Sequence, residues 1–272
     1  GAPAVAADAH FVLLDPSQTT IETSKLAIGD DSRVRWEARA DVREFVRAVQ
    51  AQATAAREPS EWMEEVFNAC AHRPASWQHL VSQTEGALHA VEVARAIQSV
   101  YGDFANGTLL MDGGEFGQWA QACLRAPRQT TNGPGGSIGS ALPMAMAARV
   151  AVPDEPVLVL MGDGTCGFHL TEFETAVRHG LNFVAVVGND ACWNAEYQIQ
   201  LRDYGPQRLY GCELTATRYD KVVEAMGGHG EFVTRPQDLP GALLRARDSG
   251  LPACVNVVLE RNPAPSVTLA MN

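Results

Sequence analysis

Short apolar segments alternate with helix-like segments over the last two thirds of the chain. Residues 157–161 and 183–187 contain no polar side chain, and residues 253–259 contain one. Strands that are apolar at nearly every position are buried on both faces, as in parallel sheets covered by helices. The sequence therefore predicts an α/β fold in which helices pack on both faces of a parallel sheet.

The other elements of this alternation follow from the same patterns. A further strand is predicted at residues 108–112. Helices are predicted at residues 86–100, 137–150, 170–179, 218–226 and 236–246. We place this domain at residues 84–272.

The first part of the chain has a different organisation. Residues 11–15 have the pattern of a short strand, residues 20–28 and 34–38 that of two more short elements, and residues 41–53 that of a helix with Asp41 as its N-cap. We expect residues 1–53 to be the C-terminal part of a Rossmann-like central domain whose first half is missing. Residues 54–83 are expected to form a helical linker.

Composition excludes several classes of partner. The 272 residues carry a formal net charge of −11, and only Lys25 and Lys221 are lysines. An acidic chain without a basic run is not expected to bind nucleic acid, which is itself negatively charged. No apolar run approaches the roughly 18 residues of a membrane span, and the six cysteines form no C-x-x-C pair. We therefore expect no membrane partner and a cytoplasmic protein with reduced thiols.

Two carboxylates follow neighbouring strands of the predicted sheet. Strand 157–161 leads into Gly162-Asp163-Gly164, and strand 183–187 leads into Gly188-Asn189-Asp190. The carboxyl ends of parallel strands lie at one edge of the sheet, where ligands bind. Two carboxylates at one edge can hold Mg²⁺ together with phosphate oxygens. Glycine-rich turns, and a helix beginning near Leu170, would offer backbone N–H groups to the phosphate.

Residues 133–139 form a second glycine-rich segment that superficially matches a dinucleotide-binding fingerprint. That motif must follow a strand, and residues 128–132 are not expected to form one, so the dinucleotide interpretation is rejected.

Together these segments resemble the thiamine diphosphate (ThDP) enzymes of the acetolactate synthase and benzaldehyde lyase type. The motif of that family begins with Gly-Asp-Gly and ends with a pair of Asn or Asp residues, as residues 162–164 and 189–190 do here. The resemblance implies that Mg²⁺ is bound by the side chains of Asp163 and Asp190 and by the backbone carbonyl of Cys192. It covers roughly residues 84–260.

The resemblance also implies a set of cofactor contacts. Thr165 would contact the diphosphate, the carbonyl of Gly136 would accept a hydrogen bond from the aminopyrimidine, and Ile138 would hold the cofactor in a bent conformation. Asn194 and Ala195 depart from the family, which more often has Gly at the first of these positions. The expected cofactor-binding residues are Gly114, Glu115, Gly136, Ser137, Ile138, Gly162, Asp163, Gly164, Thr165, Asp190, Trp193, Asn194 and Ala195.

Two of these residues keep a purely structural alternative. Glu115 is either close to the cofactor or an acid in the first turn of a helix. Trp193 either lines a substrate pocket or packs in the interior.

The resemblance implies a ThDP- and Mg²⁺-dependent carboligase or lyase that makes or breaks a C–C bond next to a carbonyl. In this family a Glu from the pyrimidine-binding domain of a neighbouring subunit activates the cofactor. No residue of this chain can take that role, so no catalytic residue is assigned here. The chain is therefore expected to be either a fragment or one subunit of a split enzyme, and a partner chain with that domain, in a heteromer of dimers, is expected.

Two alternatives are a 2-keto acid decarboxylase and a 2-hydroxyacyl-CoA lyase. CoA binding would require basic residues at the mouth of the site, for which Arg125, Arg128, Arg202 and Arg208 are the candidates. A non-catalytic scaffold subunit is the alternative of another class. The retained Asp163 and Asp190 argue against it.

Overall fold

The computed structural model describes residue 6 and residues 8–52, 60–102, 106–132 and 136–265. The chain divides into two compact units, residues 1–72 and residues 73–272. None of the helices in the described ranges is long and apolar enough to span a bilayer.

The first unit is a small α/β arrangement. Its elements are β1 (Phe11–Asp15), α1 (Gln18–Ile28), β2 (Val34–Arg39), α2 (Val42–Gln52) and α3 (Glu61–Ala71). The two strands pair in parallel. Oδ1 of Asp41 accepts hydrogen bonds from the backbone N–H groups of Arg43 and Glu44, which confirms Asp41 as the N-cap of α2. The assignment of this unit to a central domain stays a prediction, as do the predicted domain boundaries.

The second unit contains six strands and eight helices among its described residues. In chain order they are α4 (Ala90–Tyr101), β3 (Thr108–Met111), α5 (Gly114–Cys123), β4 (Arg128–Thr131), α6 (Ala141–Ala151), β5 (Val157–Gly162), α7 (Asp163–Phe168), α8 (Glu172–His179), β6 (Val184–Asn189), α9 (Asn194–Tyr204), α10 (Tyr219–Ala225), β7 (His229–Val233), α11 (Leu239–Asp248) and β8 (Ala253–Val258).

The six strands form one parallel sheet in the order β4-β3-β5-β6-β8-β7. Alternate residues of the central strands enter two separate cores. Leu158 and Leu160 of β5 pack in the core of α4, α5 and α11, whereas Val159 and Met161 pack in that of α6, α8 and α10. This period of two is the reason why the central strands are apolar at every position. The prediction of a parallel sheet with helices on both faces is confirmed.

Two predictions about this unit were wrong. Residues 128–131 do form a strand, β4, which pairs with β3 at the edge of the sheet. A strand therefore does precede residues 133–139, and its supposed absence is no reason to reject a dinucleotide-binding fingerprint there. The topology still argues against the fingerprint, because the helix after this loop, α6, leads to β5, and β5 pairs with β3 and not with β4. The usual fingerprint joins two adjacent strands.

The second error concerns helix starts. Helix α4 begins at Ala90 and not at residue 86, because Nδ1 of His89 accepts from the N–H of Val91 while Glu92 accepts from the N–H of His89. This capping box fixes the first turn. Helix α6 likewise begins at Ala141, four residues after the predicted start.

Candidate functional site

A cavity of about 310 Å³ opens at the carboxyl edge of the sheet, where β3, β5 and β6 end side by side. Three helices, α5, α7 and α9, begin at this cavity directly after those strands. Their first N–H groups have no partner within the helix and attract negative charge. The cavity is lined by Asp112, Gly113, Gly114, Glu115, Phe116, Gln118, Gln121, Asn132, Ile138, Gly162, Asp163, Gly164, Thr165, Gly188, Asp190, Cys192, Trp193, Asn194, Ala195 and Glu196.

Glycines allow the walls of the cavity to pack closely. A Cβ atom added to Gly113 would lie 2.4 Å from Cγ2 of Ile138, so the Ile138 side chain rests on the backbone at the end of β3. A Cβ atom added to Gly164 would lie 2.5 Å from Cζ3 of Trp193. A larger residue at either glycine would displace a side chain that lines the cavity.

Asp163 is the first residue of α7 and is 1 % exposed. Its Oδ1 atom accepts from the N–H of Gly164 at 2.8 Å, whereas Oδ2 is buried without a hydrogen-bond partner. Burial raises the pKa of Asp163 to about 6, against the opposing effect of backbone N–H groups at residues 164, 191 and 192. A buried carboxylate oxygen without a partner is costly, and a cation at this position would remove the cost.

Asp190 follows β6 and provides the second carboxylate of the cavity. Burial, and next the nearby charge of Asp163, raise its pKa to about 7, against the opposing effect of the side chains of Asn194 and Arg261. The effect of Asp163 on the pKa of Asp190 follows from the closeness of the two carboxylates in the cavity. Such a pair repels itself when both members are ionised, and a divalent cation between them would reverse that energy.

The loop after Asp190 has an unusual backbone. Ala191 has a φ of 52°, which L-residues other than Asn and Asp seldom adopt. Cys192 forms an antiparallel bridge with Glu213, but the flanking residues make the hydrogen bonds, from Trp193 N–H to the residue 212 carbonyl and from the residue 214 N–H to the Ala191 carbonyl. In such a pair the groups of the central residue point away from the partner strand. The Cys192 carbonyl is therefore available to a ligand.

The cavity is acidic throughout. Five carboxylates line it, those of Asp112, Glu115, Asp163, Asp190 and Glu196, and among the described residues no arginine, lysine or histidine does. Asp112 has a structural role, because its two oxygens accept from the N–H groups of residues 113 and 141 at 2.7 and 2.8 Å. Ionised carboxylates repel an anionic ligand, and a divalent cation bound between them would reverse that repulsion.

Glu115 lies in the first turn of α5 and also lines the cavity. Burial raises its pKa, the N–H of Ala264 lowers it by donating to Oε2, and Glu196 raises it. Both interpretations offered by the sequence therefore describe its position. Its role stays a prediction.

The arrangement suits Mg²⁺ better than a metal held by side chains alone. The described residues contain no cluster of three or more His, Cys, Asp or Glu residues suited to a metal ion. Two carboxylates and one backbone carbonyl leave coordination positions open, which Mg²⁺ commonly fills with phosphate oxygens and water. The residues that could hold the ion are Asp163, Asp190 and Cys192, the set that the family resemblance implies, and their role as ligands stays a prediction.

The cavity brings together most of the predicted cofactor-binding residues. Those that line it are Gly114, Glu115, Ile138, Gly162, Asp163, Gly164, Thr165, Asp190, Trp193, Asn194 and Ala195. Gly136 and Ser137 are exposed and do not line it, and residues 133–135 lie outside the described ranges. The following turn is fixed by the ring of His169, whose Nδ1 lies 2.9 Å from the carbonyl oxygen of Gly139.

The predicted phosphate-binding helix was wrong in detail. The helix near Leu170 begins at Glu172 and contributes no residue to the cavity, whereas α7 begins at Asp163 within it. The basic residues suggested for CoA, at positions 125, 128, 202 and 208, do not line the cavity either.

Sequence analysis also missed several lining residues. Gln118 and Gln121 lie one turn apart on α5, and their spacing from Glu115 would have placed all three on one helix face if that helix had been predicted. Asn132 and Glu196 carry no local signal. Arg261, which contacts the 190–192 loop, lies about 70 residues further along the chain.

The sequence of this chain matches the model of a known protein family. Residues 112–257 match the family described as thiamine pyrophosphate enzyme, C-terminal TPP binding domain. A protein named probable acetolactate synthase from Mycobacterium bovis is 40% identical over 164 residues, which cover 57% of this chain and 29% of the relative. A protein named 2-hydroxyacyl-CoA lyase 2 from Caenorhabditis elegans is 30% identical over 212 residues, which cover 74% of this chain and 32% of the relative.

A solved structure supports the fold. The ThDP-dependent 4-hydroxybenzoylformate decarboxylase of Rhodococcus jostii RHA1 superposes with a TM-score of 0.73 at 14% sequence identity, over 96% of this chain and 46% of that one. The matched regions span about a third of the length of the curated relatives named above.

Proposed function

The chain belongs to the thiamine pyrophosphate (ThDP) enzymes, and from this premise we propose that it binds ThDP through Mg²⁺ in the cavity at the carboxyl edge of the sheet. We further propose that it serves a carboligase or lyase reaction on 2-keto acids or 2-hydroxy ketones. One observation carries the metal-dependent part of the proposal. The cavity contains five carboxylates and no basic residue among its described lining, and one carboxylate oxygen, Oδ2 of Asp163, is buried without a partner.

Ionised carboxylates repel a diphosphate, and a divalent counter-ion offsets this repulsion. In the proposed arrangement Asp163, Asp190 and the carbonyl of Cys192 hold Mg²⁺, and the ion holds the diphosphate. The first N–H groups of α5 and α9 face the same cavity and favour negative charge there. Thr165, which is 3 % exposed, offers a hydroxyl group at the start of α7.

The remaining walls of the cavity would orient the cofactor. Ile138 rests on Gly113 and provides an apolar surface, which supports its proposed role in bending the cofactor. Trp193, which also lines the cavity, packs on Gly164 and against Phe168. When bound, ThDP supplies the nucleophilic carbon and the electron sink for a bond next to a carbonyl, and this chain's contribution is to position it and exclude water.

We also propose that activity requires a chain that carries the pyrimidine-binding domain, in a heteromer. The resemblance to the family supports this requirement, because the cofactor-activating Glu belongs to that domain. A cytoplasmic location is proposed on the composition alone.

Carboligation is favoured over two related activities. The relative named acetolactate synthase is 40% identical, and the relative named 2-hydroxyacyl-CoA lyase 2 is 30% identical. Simple 2-keto acid decarboxylation remains the second candidate, because it differs only in whether a proton or a second carbonyl compound completes the reaction.

The first test is calorimetric. The full chain, purified with the subunits that co-purify with it, is titrated with ThDP in the presence of Mg²⁺ and again in the presence of EDTA. We expect ThDP to bind only with Mg²⁺. Asp163→Asn and Asp190→Asn should each weaken ThDP binding at 1 mM Mg²⁺ by roughly a hundredfold, because each removes a charged ligand.

Asp248→Asn is the matched control, because this exposed acid on α11 pairs with Arg247 and lies outside the cavity lining. ThDP binding that persists in EDTA would contradict the Mg²⁺ proposal, and no binding under either condition would favour the scaffold alternative. The loaded enzyme is then given a 2-keto acid, with and without an aldehyde, and separately a 2-hydroxyacyl-CoA. A hydroxy ketone product supports carboligation. Release of CO₂ and an aldehyde alone supports decarboxylation.

A further inference from the structure

The chain crosses the cavity region once more after β8. We call residues 259–264 the C-terminal strap. It begins where the N–H of Leu259 donates to the carbonyl of Asn189 at 2.9 Å and where Leu259 pairs with Leu88. Beyond this point the strap leaves the sheet and contacts the elements that surround the cavity.

The strap contacts three cavity elements in sequence. Arg261 contacts the 190–192 loop, the carbonyl of Asn262 accepts from Nδ2 of Asn194 at the start of α9, and the N–H of Ala264 donates to Glu115 at the start of α5. One short segment therefore contacts three elements of the cavity, one of which, the start of α5, lies 149 residues earlier in the chain than Ala264.

Arg261 makes the most specific of these contacts. Its Nε donates to the carbonyl of Asp190 at 2.9 Å and its Nη2 to the carbonyl of Ala191 at 3.0 Å. The same guanidinium forms a two-pronged ion pair with Glu213, at 2.8 and 2.7 Å. A planar guanidinium fixes the direction of its donors, so it can orient two successive carbonyls at once.

The two carbonyls belong to the part of the loop with the strained backbone. Ala191, at a φ of 52°, persists in this conformation only if the surroundings hold it. The N–H of Leu214 also donates to the Ala191 carbonyl, at 2.9 Å. The Arg261 side chain is 31 % exposed and that of Glu213 is 70 % exposed, so the ion pair itself is a weak restraint. The hydrogen bonds from Arg261 to the two carbonyls restrain the loop more strongly.

We propose that Arg261 is a positioning residue for the metal site, which holds the 190–192 loop so that the Asp190 carboxylate and the Cys192 carbonyl face Asp163. The inference rests on the proposed function, because it concerns the Mg²⁺ that this function requires. Arg261 itself does not line the cavity. It acts through the backbone that it holds, as outer partners of metal ligands commonly do.

The test measures Mg²⁺ directly. The full chain with its co-purifying subunits is titrated with Mg²⁺ at saturating ThDP, and binding is followed by calorimetry and by the change in tryptophan fluorescence. For Arg261→Gln we expect the Mg²⁺ concentration at half-saturation to rise roughly tenfold or more. The half-saturating Mg²⁺ concentration of Arg261→Lys should lie between those of the unaltered enzyme and Arg261→Gln, because an ammonium group cannot reach both carbonyls in the same geometry.

Three variants separate this role from a merely structural one. Glu213→Gln removes the ion pair but leaves the carbonyl contacts, and should change half-saturation by less than about twofold. Arg245→Gln is the matched control, because Arg245 also makes a two-pronged ion pair, with Glu231, but away from the cavity. In an Ala191→Gly background, where a positive φ is no longer strained, removal of Arg261 should weaken Mg²⁺ binding by roughly threefold or less.

The outcomes are distinct. If the unaltered enzyme binds ThDP only with Mg²⁺ and Arg261→Gln retains the same half-saturation, the positioning role is refuted while the proposed function stands. If Arg261→Gln lowers the melting temperature but leaves Mg²⁺ half-saturation unchanged, Arg261 is structural only, which also overturns the inference. If the unaltered enzyme binds no ThDP at all, the proposed function fails first.

Discussion

Gly164→Ala tests the close packing on which the cavity depends. The added methyl carbon would lie 2.5 Å from Cζ3, 2.6 Å from Cε3 and 2.9 Å from Cη2 of Trp193. Carbon atoms pack at about 3.5–4.0 Å, so the indole would have to move by about 1 Å. Phe168 packs edge-on against the same ring, with centroids 6.0 Å apart, which limits this movement.

Overpacking of this kind costs about 1–3 kcal/mol of unfolding free energy. In a unit of about 200 residues, a loss of about 2 kcal/mol corresponds to a melting temperature lower by about 4–8 °C. Because Trp193 lines the cavity, its displacement should also weaken ThDP binding. The assay is thermal unfolding of the purified enzyme in EDTA, followed by ThDP titration in Mg²⁺.

Gly167→Ala is the control in the same short helix. An added Cβ at Gly167 meets no atom within 4 Å, so we expect a neutral effect or a gain of up to about 1 kcal/mol. The clash is isolated by repeating Gly164→Ala in a Trp193→Leu background, where the added methyl meets no benzo ring. In that background Gly164→Ala should lose most of its cost of about 2 kcal/mol, and the difference is the coupling energy between the two sites. If Gly164→Ala is as stable as Gly167→Ala, or if its cost persists with Leu at position 193, the packing argument is wrong.

Three further predictions concern stability. Because burial raises the pKa of Asp163 to about 6 and that of Asp190 to about 7, the folded state binds protons more tightly than the unfolded state. The stabilisation of the folded state by protonation is fully present below about pH 4 and is lost as the pH rises through these two pKa values. In EDTA the melting temperature should therefore be lower at pH 8 than at pH 5. Mg²⁺ should reduce this difference. Gly117→Ala would place Cβ 1.6 Å from the Asp112 carbonyl oxygen. Because the backbone must move to relieve this clash, we expect the unfolding free energy to fall by more than about 4 kcal/mol, so that no folded protein is recovered. His89→Ala removes the cap of α4 and should cost about 1–2 kcal/mol in thermal unfolding, with ThDP affinity unchanged because His89 does not line the cavity.

The central strands were predictable because burial on both faces imposes a pattern that is visible locally. Residues of β5 and β6 are apolar at nearly every position, and no helix of that length would require this. The edge strand β4 has the sequence Arg-Gln-Thr-Thr, which is mostly exposed and carries no such pattern. It forms a strand because the preceding strand, β3, offers it hydrogen bonds, and its own residues carry no signal of that pairing.

The same distinction explains which site residues could be found. Asp163 and Asp190 follow recognisable strands, and parallel topology then brings them to one edge. Glu196 and Arg261 reach the site through α9 and through the strap, whose paths depend on tertiary contacts. Gly136, predicted from resemblance alone, is exposed and does not line the cavity.

The charges of the cavity link its two expected ligands. Without a metal, the buried Asp163 and the half-buried Asp190 raise each other's energy when both are ionised, and a diphosphate brought near them would be repelled. With Mg²⁺ but without diphosphate, two carboxylates and one carbonyl leave the ion with several water ligands. Mg²⁺ would therefore offset the repulsion between the diphosphate and the carboxylates, and the diphosphate would provide oxygen ligands for Mg²⁺. Because coupling between binding sites is reciprocal, Mg²⁺ should tighten ThDP binding by the same factor by which ThDP tightens Mg²⁺ binding. A factor of about one in both titrations would show that the two ligands do not share this site.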